Sequence, residues 1–256
     1  MSAGTEKTID IRDRAGRLCG TYHYGDPFKP FFKSFFNGLY TPSGKDVVAL
    51  PPPEHPHHKG LQFGLCASDV NFWEEDLAAE APYRQLAIGK QTTTSLNPFP
   101  PTVGNGFSQK VLWARDGVIT FDETREISVT EVPKGYRWTW HTKLVAARNV
   151  DVIKSDWDGP GYCGLGVRLS RDLFVGGKVS PPHVASGSNP PVSFTGKGVA
   201  VTFEQTAGPE NVLFVSTYEK DPFFAFIALG PTNLNPRHLD ENQFLEATYV
   251  VTVADL

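Results

Sequence analysis

Apolar and polar residues alternate with a period of two along much of the chain, the repeat of a strand with one buried face. Arg137-Trp138-Thr139-Trp140-His141-Thr142 sets two tryptophans on one side, and Thr248-Tyr249-Val250-Val251-Thr252-Val253 is dense in β-branched residues. The pattern predicts strands over Thr8–Arg12, Leu18–Tyr24, Val47–Leu50, Leu61–Cys66, Gly106–Trp113, Val118–Val129, Tyr136–Ala146, Gly164–Leu169, Gly198–Gln205, Val212–Tyr218, Phe223–Leu229 and Gln243–Val253. Turn chemistry separates them at Asp116-Gly117, Lys134-Gly135, Asp158-Gly159, Gly176-Gly177 and Gly208-Pro209. Many short strands punctuated by Gly and Pro predict an all-β fold, a large antiparallel two-sheet sandwich with minimal helix. Helix is expected only as a turn or two, near Trp73–Ala81 or Asp240–Gln243. With no repeat and no linker-like shift in composition, residues 1–256 read as a single domain.

The densest chemistry lies at the entrance to one of these strands. Pro51-Pro52-Pro53-Glu54-His55-Pro56-His57-His58-Lys59-Gly60 holds three of the seven histidines within four residues. Imidazole changes charge near neutral pH and ligates metals, so the run concentrates proton-transfer capacity. The prolines exclude a helix interior and favour a stiff, extended rim. On an extended backbone His55 and His57 share a face, leaving His58 as their support or pointing elsewhere. The run leads into Leu61–Leu65, a core-like strand, which suits the lip of a pocket better than a free surface.

Three further stretches add polar and aromatic groups. Asp69-Val70-Asn71-Phe72-Trp73-Glu74-Glu75-Asp76 sets aromatics beside carboxylates, and Trp73 is a candidate to stack on a sugar ring. Asp156–Arg168 is rich in glycine but lacks the Gly-Lys-Ser/Thr of a phosphate loop. Its glycines fit close backbone approach, with Tyr162 and Arg168 able to face a ligand. His183 sits beside Pro181 and Pro182, and Asn233–His238 gathers polar groups that include Asn235 and Arg237. Arg237 suits clamping a carboxylate or hydroxyl pair, or an ion pair with Asp240. No Gly-x-Ser-x-Gly elbow occurs, and no cysteine stands in an activating context. A divalent ion held by His55, His57 and a distant His or carboxylate is the metal version of the site, although no companion zinc motif accompanies it.

Composition narrows the partners. The formal net charge of −4 and absence of clustered Lys and Arg exclude a nucleic-acid footprint. No apolar stretch approaches the ~20 residues of a membrane span. The N-terminal residues lack a secretory pattern, and Cys19, Cys66 and Cys163 are odd in number and set among apolar residues. The expectation is reduced thiols in a cytoplasmic protein.

Several stretches together resemble an uncharacterised bacterial and fungal family labelled "methane oxygenase PmoA"-like. The likeness rests on Tyr40-Thr41-Pro42-Ser43-Gly44, Glu54-His55-Pro56-His57-His58-Lys59-Gly60-Leu61-Gln62-Phe63, Val70-Asn71-Phe72-Trp73, Glu123-Thr124-Arg125-Glu126 and Tyr162-Cys163-Gly164-Leu165-Gly166-Val167-Arg168. His183 matches more loosely. The family's Thr-Arg-Ala-Arg-Trp is missing at Ala185–Pro190, as is its His-Pro-x-Asn-Pro-Arg near Tyr218–Phe223. The resemblance implies a galactose-mutarotase-like β-sandwich in a setting of carbohydrate metabolism. It does not imply methane oxidation, which takes place in membrane-spanning subunits.

The functional expectation is a carbohydrate-active enzyme using histidine acid–base chemistry on a sugar or oxidised keto sugar, by epimerisation, β-elimination or hydrolysis. His55, His57 and His183 are the expected catalytic groups; His58, Trp73, Tyr162, Arg168, Asn235 and Arg237 are the expected substrate-binding groups. No cofactor is required by the sequence. The rivals are a metal-dependent lyase or hydrolase at the same histidines and a carbohydrate-binding sandwich without chemistry. Substrate identity and oligomeric state are not legible.

Overall fold

The computed structural model describes residues 7–26, 31–51, 55–75, 86–100, 102, 104–153, 163–180, 191–209, 212–219, 225–230 and 236–256. In chain order the described strands are β1 (Lys7–Arg12), β2 (Leu18–Gly25), β3 (Phe35–Leu39), β4 (Leu61–Gly64), β5 (Cys66–Ala67), β6 (Val70–Asn71), β7 (Ala87–Ile88), β8 (Lys90–Pro98), β9 (Asn105–Arg115) and β10 (Val118–Val132). There follow β11 (Gly135–Ala146), β12 (Val150–Ile153), β13 (Gly164–Leu169), β14 (Lys178–Ser180), β15 (Val192–Gly196), β16 (Val199–Ala207), β17 (Val212–Ser216), β18 (Ala225–Gly230), β19 (Arg237–Leu239) and β20 (Phe244–Asp255). One short helix, α1 (Arg171–Phe174), interrupts them.

Two large sheets carry the fold, one ordered β1-β2-β3-β4-β13-β18-β17 and the other β14-β15-β16-β20-β11-β10-β9-β8. A third sheet of short strands, β19-β12-β5-β6-β7, adds to the expected pair. Among the described strands pairing is antiparallel except between β6 and β7.

In the eight-stranded sheet, β10, β11 and β20 alternate between buried and more exposed positions. Trp138 and Trp140 turn inward, and His141 faces the other way to meet Glu246 at 2.9 Å. The period of two, which places the tryptophans together, also separates His141 from them. By contrast β4, β13 and β18 are buried at every position. A strand that loses its alternation has cover on both faces. The inner cover is the eight-stranded sheet: Phe63 of β4 packs on Trp113 and Tyr249, and Phe36 of β3 packs on Trp138.

A hydrogen-bonded polar network lies buried between the large sheets. Arg125 forks onto both oxygens of Glu123 at 2.8 Å and donates to the Tyr22 hydroxyl at 2.8 Å. Glu123 also accepts from Trp113 and Thr142, each at 2.7 Å. Gln91 accepts from Arg125 and donates to the Phe63 carbonyl. Every charge here is met by an opposite charge or a hydrogen bond, the condition under which buried ions are tolerated.

Several expectations are corrected. Val47–Leu50 forms only an isolated bridge, Val48 with Leu169, because Pro51 ends the run and the segment crosses the end of β13. Asp240–Gln243 is a turn closed by Gln243 N–H on the Asp240 carbonyl, not a helix. The described part of Trp73–Ala81 contains no helix, since the Asn71 side chain takes the N–H groups of Trp73 and Glu74 instead. Cys19, Cys66 and Cys163 are buried free thiols. Among the described residues no helix is long and apolar enough to cross a membrane.

Candidate functional site

The outer face of the seven-stranded sheet carries the candidate site. Gln62 pairs with Phe35 and Gly166, and Arg168 pairs with Phe226, so one row of side chains crosses β3, β4, β13 and β18 on the same face. Their neighbours Phe36, Leu61 and Phe63 point into the core between the sheets. Lys33, two residues before Phe35, continues the outer row, whereas Ser34 turns inward to Gln109 at 3.1 Å.

The histidine run lies over this row. It is not extended: His58 N–H donates to the His55 carbonyl at 3.0 Å, closing a turn with Pro56 at its second position. Proline presets φ for that position of a β-turn, so the same ring that excludes helix supports the reversal. The turn brings all three imidazoles to one side, where an extended strand would have split them. His55 and His58 rings stack at 5.0 Å with 19° between their planes, and His57 meets His58 edge to face at 4.4 Å. On its far side His58 stacks on Phe226 at 4.4 Å. The Gln62 amide grips the turn from β4, donating to the His57 carbonyl and accepting from Lys59 N–H. Gly60, at φ +30°, sits where a Cβ would collide with the Phe36 carbonyl oxygen.

Exposure grades the three rings. His58 is 0% exposed, His57 is at 9%, and His55 is partly exposed. Burial, then the charges of His57, His55, Arg168 and Lys33, hold His58 well below the usual imidazole range. Arg168, itself buried, directs Nη1 at His58 Nδ1 across 3.4 Å.

Trp73 closes one side, edge-on to Phe226 at 6.0 Å and to His57 at 6.4 Å. At 1% exposure it is a wall, with its indole over the backbone of Gly64 and Gly166. Gly166 leaves room for it: a Cβ there would lie 2.9 Å from Trp73 Cη2 and 2.6 Å from Phe226 Cζ. Behind the indole, Lys33 Nζ stands 5.1 Å from the ring centroid, donates to the Trp73 carbonyl and lies 3.4 Å from Glu75 Oε1. Glu75 Oε2 is taken by Lys59, whose ammonium also caps the Phe35 ring at 5.0 Å.

The structure thus brings together His55, His57, His58, Trp73 and Arg168. His183, Tyr162 and Asn235 lie outside the described residues. Arg237 is exposed on β19 in the small third sheet, lining a depression with His238, Asn242, Gln243 and Phe244. Its expected partner Asp240 faces His238 at 3.4 Å, and His238 also takes Asp151 at 2.8 Å. Lys33, Gln62 and Phe226 pack against this cluster and were not expected there. Among the described residues no group of three or more His, Cys, Asp or Glu is arranged to hold a metal ion. Stacked imidazoles present faces to one another, whereas ligation needs converging lone pairs.

Residues 12–256 match the family described as "Family of unknown function (DUF6807)", and the chain belongs to that family. The PmoA-like label suggested by the motif order is not supported and is dropped. No curated protein sequence matches significantly. The fold is similar to that of the Slr1438 protein from Synechocystis sp. PCC 6803, with a TM-score of 0.52, 10% identity, and 100% of this chain and 98% of that one covered. A galactose mutarotase-like protein from Clostridium acetobutylicum aligns at a TM-score of 0.44, with 10% identity and 98% and 99% coverage. The galactosidase domain of an α-galactosidase-sucrose kinase aligns at 0.43, with 10% identity, over 96% of this chain and 40% of that one. At such identity the likeness is one of fold.

Proposed function

We propose that the chain is a carbohydrate-active enzyme that moves protons on a sugar or keto sugar, with His55 and His57 as the acid–base pair. The observation that carries this reading is the graded stack of imidazoles on the outer sheet face. One partly exposed ring, His55, and one nearly buried ring, His57, rest on a third that is fully buried and held neutral. A general base must be unprotonated at the working pH and within reach of its proton, and here the pair rests on His58, which burial and the Arg168 guanidinium hold neutral. Proton abstraction beside a carbonyl, giving epimerisation or β-elimination, uses one ring as base and the other as acid. Arg168 and Gln62 keep the rings in place, and Phe226 with Trp73 supplies the apolar wall typical of a small-molecule site. The sugar class rests on this mixture of aromatic and hydrogen-bonding groups.

The test is turnover of a panel of aldoses, keto sugars and sugar acids by the wild-type chain, His55→Ala and His57→Ala. The reading predicts a product from wild type and a loss of at least about 100-fold in each variant, the scale of one acid–base group. Full activity in both variants removes it. Binding of a panel sugar without product assigns a binding sandwich. A stoichiometric divalent ion lost with His57→Ala assigns metal-assisted chemistry.

A further inference from the structure

Lys33 is the buried cation that this reading leaves without a task. It is 0% exposed, and a buried ammonium is retained only where it is paired and hydrogen-bonded. Its pairing joins three separate segments. Nζ donates to the carbonyl of Trp73, faces Glu75, and lies against the indole that forms the wall beside His57. Glu75 bridges onward to Lys59, which belongs to the histidine turn's exit. The backbone around Lys33 is clamped on both sides by the polar network between the sheets. The Phe32 carbonyl accepts from Gln91 N–H at 2.6 Å, and Ser34 Oγ accepts from Gln109 at 3.1 Å. The Lys33 backbone is therefore held just ahead of β3, and its long side chain reaches the Trp73–Glu75 segment from a fixed base.

We infer that Lys33 is a positioning residue for the histidine site: its ammonium pins Trp73 and Glu75 against the turn that carries the imidazoles. The inference rests on the proposed acid–base reading for its consequence in catalysis, although the wiring itself is independent of any substrate. The charged and titratable groups around Lys33 are Glu75 and Glu74 from the segment after β6 and Lys59 ahead of β4; across the Trp73 wall lie His57, His58 and Arg168. Burial lowers Lys33 to about 8, Glu75 opposes that drop, and Lys59 adds to it. Its charge in turn is one of those that lower His58. The cation is thus present at neutral pH and lost in mildly alkaline solution, when Glu75 loses the charge that faces it and the neutral amine keeps only its hydrogen bond to the Trp73 carbonyl.

The experiment follows the imidazole resonances of ¹⁵N-histidine-labelled protein by NMR from pH 5 to 10 without substrate. The wild-type chain is expected to show an inflection near pH 8 at His57 and His58, in addition to any acid-side step. Lys33→Met is expected to lose the alkaline inflection and move the acid-side step of His58 upward, because a positive charge that lowers it has gone. Glu75→Gln moves the alkaline inflection downward, since the anion supporting the ammonium is removed; this variant decides the matter if Lys33→Met does not fold. An alkaline inflection that is absent from wild type, persists in Lys33→Met or stays in place in Glu75→Gln overturns the inference. None of these readouts uses turnover, so failure here is separate from failure of the His55→Ala and His57→Ala test. If both hold, Lys33→Met narrows the pH–kcat/KM profile on its acid side, a change that mere loss of packing does not produce.

Discussion

Arg168 directs its Nη1 at the Nδ1 of His58 across 3.4 Å, and the pairing fixes the protonation of the ring. A guanidinium has only donors, so Nδ1 must accept and His58 carries its proton on Nε2. The ring between His55 and Phe226 is therefore neutral for a geometric reason as well as through burial.

That neutrality has a cost on the acid side. The folded pKa of His58 lies below the unfolded value of 6.5, so the unfolded chain binds the extra proton first. Stability attributable to this ring is whole above pH 6.5 and erodes as the pH falls through the window below it, by up to about 1.4 kcal/mol per pH unit. Urea midpoints between pH 7 and 5 should fall for the wild-type chain and fall less for His58→Gln. Equal slopes would show that His58 is not the titrating group.

Gly60 sets the close approach of the histidine turn to β3. Gly60→Ala forces a Cβ into the Phe36 carbonyl at a positive φ, and the expected cost is about 1–3 kcal/mol. The His57 and His58 resonances should shift with it. An unchanged urea midpoint would place the turn elsewhere.

The Arg125–Glu123 pair should behave as a buried ion pair does. Glu123→Gln leaves a guanidinium without its anion and should cost about 3–5 kcal/mol in chemical denaturation. The double change Glu123→Gln with Arg125→Met should cost less than the sum of the two single ones, and strict additivity would contradict the pairing.

Just after β1, burial pushes the Asp13 carboxyl up, but hydrogen bonds from Tyr136, Arg17 N–H and the Arg17 guanidinium outweigh it and bring it down to about 2. The pKa is lower folded than unfolded, so this contribution is present above 3.8 and lost as the pH falls toward 2. Asp13→Asn should be less stable at pH 7 and show a flatter acid limb between pH 4 and 2. A limb identical to wild type would contradict the assignment.

What the sequence revealed followed the strength of the period-two signal. β10, β11 and β20 were legible because one face of each is buried and the other wet. β8 was not, since this edge strand is mostly polar and little buried. The histidine run was legible in composition and misread in shape: prolines suit both an extended rim and a turn, and the deciding grip comes from Gln62 after the next glycine. Arg168 was expected on a strand and lies on β13 beside His58, whereas Lys33, a lone cation among phenylalanines, has no local mark. Its role exists only once β3 and the Trp73–Glu75 segment are brought together. Arg237 was misplaced because a polar run near a proline says nothing of which sheet it joins.

The most direct measurement is a titration of ¹⁵N-histidine-labelled protein with a sugar from the panel that the wild-type chain converts, read at each imidazole. The proposed site predicts that His55 and His57 move on binding while His141 and His238, on other faces of the molecule, stay in place. Movement confined to His141 or His238, with His55 and His57 unchanged at saturating sugar, would contradict it.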